Sequence, residues 1–544
     1  MGLNIRIQGT QKSSGRDVKT SFVPETTPHD VAELLTNLPE RTCDVITSWA
    51  ERSPDHPALV EASGAWSYGQ LAFVVSDTQR WLSDLSVRPG DRVMIVCENC
   101  RALVAILFAL AQLDAWPVLL NARLSAREVD EIRNHCGARC VIYTTEVSVQ
   151  ARDHAKRDGA TAHQATPVGP IAVGPLNENV EPEAIDREPG ERVGALIYTS
   201  GTTGLPKGVM LTHRNLLFVA AASAKIRSLT PDDRLYGVLP MSHAVGLSVV
   251  LLGALLSGAT LYLASRFDPV AAIGTLEKER LTVVLGAPSM FSLFVDYAKL
   301  RNLKSFNFPD LRIISSSGAP LQPALKAQVE GLFGMTLYNG YGVTECSPNI
   351  SQAVVGERRT DTSVGRILPG VEVQLVASDQ KPVTEGEVGE LWVRGPNVMK
   401  GYYGAPEETA ASVNSEGWFN TRDLARMDKG YLFIVGRTKE LIIRFGENVY
   451  PAEVEAVLNS HPEVVRSAVV GRTVEGAGEE IVAYVELLPS SATSERDLAQ
   501  FAAPHLAPYK RPTRIVIVSS MPLTPTGKVI KGELTKLEPP VLRG

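Results

Sequence analysis

Cysteine is scarce, with six in 544 residues, and that excludes the disulfide framework of a small secreted fold. Basic charge is not in excess: 54 lysines and arginines stand against 60 aspartates and glutamates, a net charge of −6. No global positive field gathers nucleic acid, although a local patch stays open. Long apolar runs are also missing. The most apolar stretch, Val245 to Leu263, is broken by Gly246, Ser248, Gly253, Ser257, Gly258 and Thr260, and fits a buried helix followed by a strand better than a bilayer crossing. The first twenty residues hold Lys12, Arg16 and Lys19 among polar neighbours and lack a secretory h-region. The ending Val541-Leu542-Arg543-Gly544 is no peroxisomal address. The expectation is a soluble cytoplasmic protein with no membrane span.

What is present is the balance of a globular protein, 44% hydrophobic and 21% charged, in a chain long enough for more than one core. Cys97-Glu98-Asn99-Cys100 and the group His135, Cys136 and Cys140 invite a zinc reading. The alternative is that Cys97, at the end of the run Val93–Val96, and Cys136, after an amphipathic helix, serve as small hydrophobes.

From Asp91 to about Tyr338, short β-branched runs alternate with helical stretches. Arg92–Val96 precedes Ala102–Leu113; Thr260–Leu263, Val270–Glu279 and Thr282–Leu285 follow one another, as do Leu311–Ser315, Leu321–Leu332 and Met335–Leu337. Such alternation predicts α/β units around a mostly parallel sheet. Residues 150–192, rich in Pro, Gly, Ala and acid, read as a long surface connection. After Val435-Gly436-Arg437 a smaller unit is expected, with helices at Ala452–Asn459 and Glu495–Ala502 and strands at Val464–Val470, Ile481–Leu487 and Thr513–Val518. About a hundred residues suffice for a modest core of its own.

The segment Ile197-Tyr198-Thr199-Ser200-Gly201-Thr202-Thr203-Gly204-Leu205-Pro206-Lys207-Gly208 follows an apolar run and precedes a helix near His213–Ala222. Its glycines permit unusual backbone angles, and its hydroxyls, N–H groups and lysine suit phosphate oxygens. It is not a Walker A loop, because Pro206 and Gly208 stand where that motif needs Gly and Ser or Thr. By composition alone it is either a plain turn or a phosphate cradle.

The whole string resembles the signature loop of the adenylate-forming superfamily, which includes acyl- and aryl-CoA synthetases, firefly luciferase and peptide-synthetase adenylation domains. Further motifs resemble the family's in its order. They are Leu239-Pro240-Met241-Ser242-His243, Ser317-Gly318-Ala319-Pro320-Leu321, Tyr338-Asn339-Gly340-Tyr341-Gly342-Val343-Thr344-Glu345, Gly389–Gly395, Gly417–Asp423, Gly436-Arg437-Thr438-Lys439-Glu440 and Pro525-Thr526-Gly527-Lys528. The resemblance implies a large N-terminal domain of mixed α/β sheets (1–436), a hinge (437–439) and a small mobile α+β C-terminal domain (440–544). It also implies ATP, Mg²⁺ and coenzyme A as cofactors.

The same resemblance assigns roles. Lys528, His243, Thr344 and Glu345 are the catalytic candidates. ATP or AMP would meet Thr199, Ser200, Gly201, Thr202, Thr203, Gly204, Lys207, Gly318, Ala319, Pro320, Asn339, Gly340, Tyr341, Gly342, Thr344, Asp423 and Arg437. Tyr341 would stack on adenine, Thr344 touch the α-phosphate, Asp423 hold the ribose hydroxyls and Glu345 bind Mg²⁺. His243, Ala244, Gly246 and Gly342 would line the acid pocket, and Lys439 would be the pivot. Arg422 departs from the family's usual glycine, which bears on the loop before Asp423. Read without the resemblance, Lys528 is one lysine in a Pro-Thr-Gly turn, and Lys531 and Lys536 nearby read as ordinary solvated lysines. Glu345 alone reads as a surface acid, and His243 as a core histidine.

The chemistry is coherent with those roles. A carboxylate attacking the α-phosphorus brings two anions together, so positive charge belongs where negative charge builds. Arg444-Phe445-Gly446-Glu447-Asn448-Val449-Tyr450-Pro451 resembles the CoA-ligase segment along the pantetheine tunnel, which makes Phe445, Gly446 and Glu447 CoA-binding candidates. The sequence runs sixteen residues beyond Lys528, leaving no carrier domain there. Ser242-His243-Ala244-Val245-Gly246 offers no carboxylate for a substrate ammonium. The function expected is an AMP-forming carboxylic acid–CoA ligase for a fatty acid of medium or longer chain or an aryl or cinnamate-type acid. The alternatives are a luciferase-like oxidase, a carrier-protein loader and a non-catalytic nucleotide sensor. Monomer and homodimer both stay open.

Overall fold

The structure, a computed structural model, describes residues 34–200, 206–377, 381–444, 447–474, 478–489, 491–523 and 529–534, with 21–22, 32, 379 and 536. Among the described residues the sheets have eight, nine, five, three and two strands. In the eight-stranded sheet the order is Gly401–Tyr402, Pro206–Thr212, Val193–Ser200, Trp116–Asn121, Arg92–Cys97, Cys140–Tyr143, Ile171–Val173 and Thr161–His163. Its centre is parallel: Arg92–Cys97 runs alongside both Trp116–Asn121 and Cys140–Tyr143. Arg92–Cys97 is buried at every position, as expected of a strand covered on both faces. The helix that follows, Arg101–Gln112, buries every residue from Leu103 to Ala111. Its apolar surface goes all the way round, so it is an interior helix.

The nine-stranded sheet pairs Ile313–Ser316 in parallel with Val283–Gly286 and with Leu337–Gly342. Helices Pro288–Leu300 and Pro323–Phe333 make the crossovers, each with proline in its first turn, where the missing N–H costs nothing. The five-stranded antiparallel sheet ends with the hairpin Phe419–Asp428 and Tyr431–Arg437. Thereafter comes the smaller unit: helices Pro451–Leu458 and Glu495–Ala502, and a sheet of Val464–Val474, Gly478–Leu487 and Arg514–Val518. Ile442, Val454, Leu458, Val469, Ile481, Val485 and Leu498 form a core inside that unit.

Two expectations need correction. Residues 150–192 are not one loose connection. They contain most of helix Val149–Arg157 and the strands Thr161–His163 and Ile171–Val173, which extend the eight-stranded sheet at its edge. Strands of three residues show no periodicity to detect. The helix expected after the signature loop is present as His213–Ile226; strand Pro206–Thr212 leads into it, and Thr212, paired reciprocally with Asn215, caps it. Lys531 is no solvated lysine, as shown below. The run from Val245 is a helix (a π-helical stretch to Leu252, then an α turn) before strand Thr260–Leu263. All six cysteines are buried, and burial pushes the Cys100, Cys136 and Cys140 thiols up to about 12. His135 meets the Tyr198 hydroxyl, 2.7 Å from its Nδ1. Among the described residues no helix is long and apolar enough to cross a membrane.

Candidate active site

The site forms where the three large sheets meet. From the nine-stranded sheet, strand Leu337–Gly342 ends in a short turn, Thr344–Cys346, that presents Tyr341, Thr344 and Glu345. Chain crowding dictates Gly342: a Cβ there would lie 1.8 Å from the Pro348 carbonyl oxygen. The five-stranded sheet contributes Asp423 and Arg437, which are register partners on its last hairpin. The Tyr341 hydroxyl donates to Asp423 Oδ2 at 2.5 Å, and Arg437 Nε donates to Oδ1 at 2.9 Å. Asp423 is 3% exposed. A carboxylate has about four acceptor positions, so it retains capacity for sugar hydroxyls beside these two donors.

From the eight-stranded sheet, the hairpin Val193–Ser200 and Pro206–Thr212 pairs Ser200 with Pro206 and Thr199 with Lys207, closing the base of the glycine-rich turn. Gly201, Thr202, Thr203 and Gly204 themselves lie outside the described residues. Lys207 is ion-paired with Glu408 and sits 5.2 Å from the centre of the Tyr402 ring. Tyr402 in turn donates to Glu345 Oε1 at 3.0 Å. One tyrosine thus links the lysine of the turn to the candidate metal carboxylate. The Glu345 backbone is held too, its carbonyl accepting from Met399 at 2.8 Å.

Burial pushes the Glu345 carboxyl above its ordinary range, opposed by hydrogen bonds and by the Arg437 charge. A carboxylate taken out of water with so little positive charge beside it fits a hard divalent cation. His243 is exposed, yet desolvation by the protein around it, with the Arg123 charge second, lowers its pKa. Gly246 does not open space beside it. A Cβ there would meet the Pro240 carbonyl oxygen at 2.1 Å, so this glycine lets the helix start against the turn that carries His243.

Residues 46–403 match the family described as AMP-binding enzyme, and 453–528 its C-terminal domain. The chain belongs to the AMP-binding enzymes. Within the family it is 36% identical to a feruloyl-CoA synthase of Amycolatopsis, over 90% of this chain and 97% of that one. An indoleacetate–CoA ligase of Aromatoleum aromaticum is 33% identical, over 90% and 98%. Among solved structures, the o-succinylbenzoate CoA synthetase of Bacillus subtilis with its acyl-adenylate superposes with a TM-score of 0.78 at 27% identity, over 91% of this chain and 98% of that one.

Of the residues that family motifs single out, Tyr341, Thr344, Glu345, Asp423, Arg437 and Lys207 come together at the sheet junction. Asn339 is turned inward, donating to the Thr362 and Ser363 carbonyls, and Gly340 donates to its side chain. Gly318, Ala319 and Pro320 form the turn after strand Ile313–Ser316. Lys439 is exposed, and Glu447 is exposed on strand Glu447–Val449. Phe445, Gly446 and Lys528 lie outside the described residues, and nothing is described of the Ser200 side chain. Arg422 adopts φ +58, the left-handed region, with its N–H on Asn420 Oδ1 at 2.8 Å. This explains the glycine usual in the family: the bend before Asp423 favours one.

Two residues of the site were missed in the sequence. Tyr402 is one. Asn99, 5% exposed, is the other: its amide donates to the Gly237 and Leu239 carbonyls at 3.0 and 2.9 Å and accepts from the Met241 N–H at 2.9 Å. It thereby fixes the turn that precedes His243. Its place at the carboxyl end of a parallel strand was the one available signal.

Proposed function

We propose that this AMP-forming acid–CoA ligase activates an aryl or cinnamate-type acid. Acid and ATP give acyl-adenylate and pyrophosphate; coenzyme A then gives acyl-CoA and AMP. The observation that carries the reading is the junction itself, where Tyr341 and Glu345 from one sheet face Asp423 and Arg437 from another and the lysine-bearing hairpin from the third. Named relatives that act on feruloyl and indoleacetate groups, and the apolar lining Ala244 and Val245, support an aromatic acid.

In this reading Asp423 anchors the ribose and Tyr341, its ring fixed by that bond, flanks the base. Thr344 and the glycine-rich turn orient the phosphates, and His243 closes the carboxylate end of the acid pocket. Glu345 holds Mg²⁺, which when bound neutralises charge on the phosphates. Lys528 bridges the attacking carboxylate and the α-phosphate, so that the pair of anions meets fixed positive charge. The domains divide at 1–436, 437–439 and 440–544. Turning about Lys439 removes Lys528 and brings up Phe445, Gly446 and Glu447 for the thiol, and such gating lets one pocket run two steps.

The test is a panel of ferulate, 4-coumarate, indoleacetate and decanoate, assayed for pyrophosphate and AMP with and without coenzyme A. The aromatic acids should give the highest kcat/KM, and AMP should leave the enzyme with the thioester. Faster turnover of decanoate would reject the substrate class; absence of ATP cleavage with every acid would reject the activity.

A further inference from the structure

Lys531 lies three residues beyond Lys528, and its surroundings are unlike those of a surface lysine. Its ammonium is 2.8 Å from Glu440 Oε2 and 2.8 Å from Glu455 Oε1, and the three side chains are only 21%, 27% and 12% exposed. Glu455 Oε1 also accepts the Val469 N–H at 2.8 Å, which joins the cluster to the edge strand Val464–Val474 of the small sheet. Glu440 is the first residue after the pivot, 91 positions before Lys531.

The described residues on either side of Lys528 are held as well. Leu523 and Val529 form a β-bridge, and the Ile530 N–H donates to the Pro522 carbonyl at 2.8 Å. Leu534, one turn past Lys531, is fully buried and packs with Met521. On the far side of the pivot, the Thr438 hydroxyl donates to Glu390 Oε1 at 2.8 Å, and Glu390 Oε2 accepts from Asn420 at 2.9 Å. The chain is therefore tied to the large domain at residue 438 and to the small domain at 440, with exposed Lys439 between.

We propose that Lys531 is a positioning residue for adenylate formation: by clasping Glu440 and Glu455 it makes the small-domain end of the hinge and the described residues that flank Lys528 one rigid unit. The inference rests on the reading of Lys528 as the carboxylate–phosphate bridge and of Lys439 as the pivot. Rotation about a single residue then delivers Lys528 to one place. A lysine whose mounting tilts loses alignment, and misplacement by about 1 Å costs on the order of a hundredfold in rate. All three members of the clasp lie beyond the pivot, so the clasp travels with the domain, and none of them is among the residues proposed to meet the thiol.

The experiment compares half-reactions, with ferulate as the acid (or the fastest acid of the panel) and its synthetic adenylate. Lys531→Gln should lower kcat for pyrophosphate release at least tenfold while KM for acid and ATP stays within about threefold. Thioester formation from supplied adenylate and coenzyme A should stay within twofold. Lys531→Arg, which keeps the charge and both bonds, should restore most of the adenylation rate. Because Lys531→Gln leaves two carboxylates short of charge, its melting temperature is measured too. Glu440→Gln, which cuts only the hinge side, should show the same split in milder form, and it alone decides if Lys531→Gln does not fold. Equal losses in both half-reactions, or unchanged adenylation, would overturn the proposal. Lys528→Ala separates it from its premise: normal adenylation by that variant rejects the role of Lys528 itself, whereas an inactive Lys528→Ala beside a fully active Lys531→Gln rejects the positioning role alone.

Discussion

Replacing Asp423 by asparagine probes the best-defined part of the site. The carboxylate is buried, with Tyr341 on Oδ2 at 2.5 Å and Arg437 on Oδ1 at 2.9 Å. Asparagine keeps the shape but makes one of the two acceptors a donor. Whichever way the amide turns, it faces either the tyrosine hydroxyl or the guanidinium with its NH₂ group. A hydrogen bond to a charged partner contributes about 1.5–3 kcal/mol. Arg437 is 39% exposed, so solvent screens the pair and the lower end applies to folding. The ribose loses more, because its hydroxyls would meet a neutral group inside a dry site. A loss of about 2–3 kcal/mol corresponds to roughly a 30- to 150-fold rise in KM for ATP. Pyrophosphate release against ATP concentration, with thermal unfolding recorded on the same samples, gives both quantities. KM for ATP within threefold of the unmodified enzyme, in a folded protein, would refute the ribose role.

Glu345→Gln should lower the adenylation rate roughly a hundredfold, the usual effect of deleting one electrostatic contact at a transition state. Because burial raises the Glu345 pKa, the acid limb of kcat/KM should begin above the ordinary glutamate range and move to lower pH as Mg²⁺ is increased. An acid limb unmoved by Mg²⁺ would count against the metal role. Its effect on folding has the opposite sign to its effect on catalysis: a raised carboxyl favours the folded state at low pH, and that contribution is lost as pH rises through the folded value. His213, buried with its Nδ1 3.2 Å from the Thr42 hydroxyl, has its pKa lowered to about 3 by burial and, secondarily, by Arg41 and Arg192. The contribution of this neutral imidazole is complete above about 6.5 and lost as pH falls toward the folded value, about 2 kcal/mol by about pH 5. Denaturant titrations of His213→Asn should show a flatter acid slope. At Arg422, held at φ +58, glycine should stabilise by about 0.5 kcal/mol and valine destabilise by about 1–2 kcal/mol. Melting temperatures that leave both variants unchanged would contradict the strain argument.

The alternation of strands and helices was legible because caps and periodicity are local: the expected helix Glu495–Ala502 has those bounds, closed by the Ser494–Asp497 box. The glycine-rich turn was legible as an unusual string, and Asp423 and Glu345 through the motifs around them. Asn99, Tyr402 and Lys531 were not, since each owes its role to partners far along the chain. Asn99 acts on Leu239, 140 positions away, and Tyr402 on Glu345, 57 away. A solvated lysine and a clasped one look alike until Glu440 and Glu455 arrive beside it. Arg422 was the reverse case, an odd residue whose oddity was visible and whose reason, a left-handed bend, was not.

Asn99 also sets how the protein will register an occupied pocket. It rises from one sheet and grips every second residue, Gly237, Leu239 and Met241, of a segment belonging to another, so the histidine beyond that segment rides on the seam between two independently built layers. With His243 in its proposed role, an acid lodged against it would wedge into this seam and damp the layers' relative breathing. The amides of Leu239 and Met241 should therefore exchange with solvent more slowly once the acid is bound, though no atom of the acid need reach them.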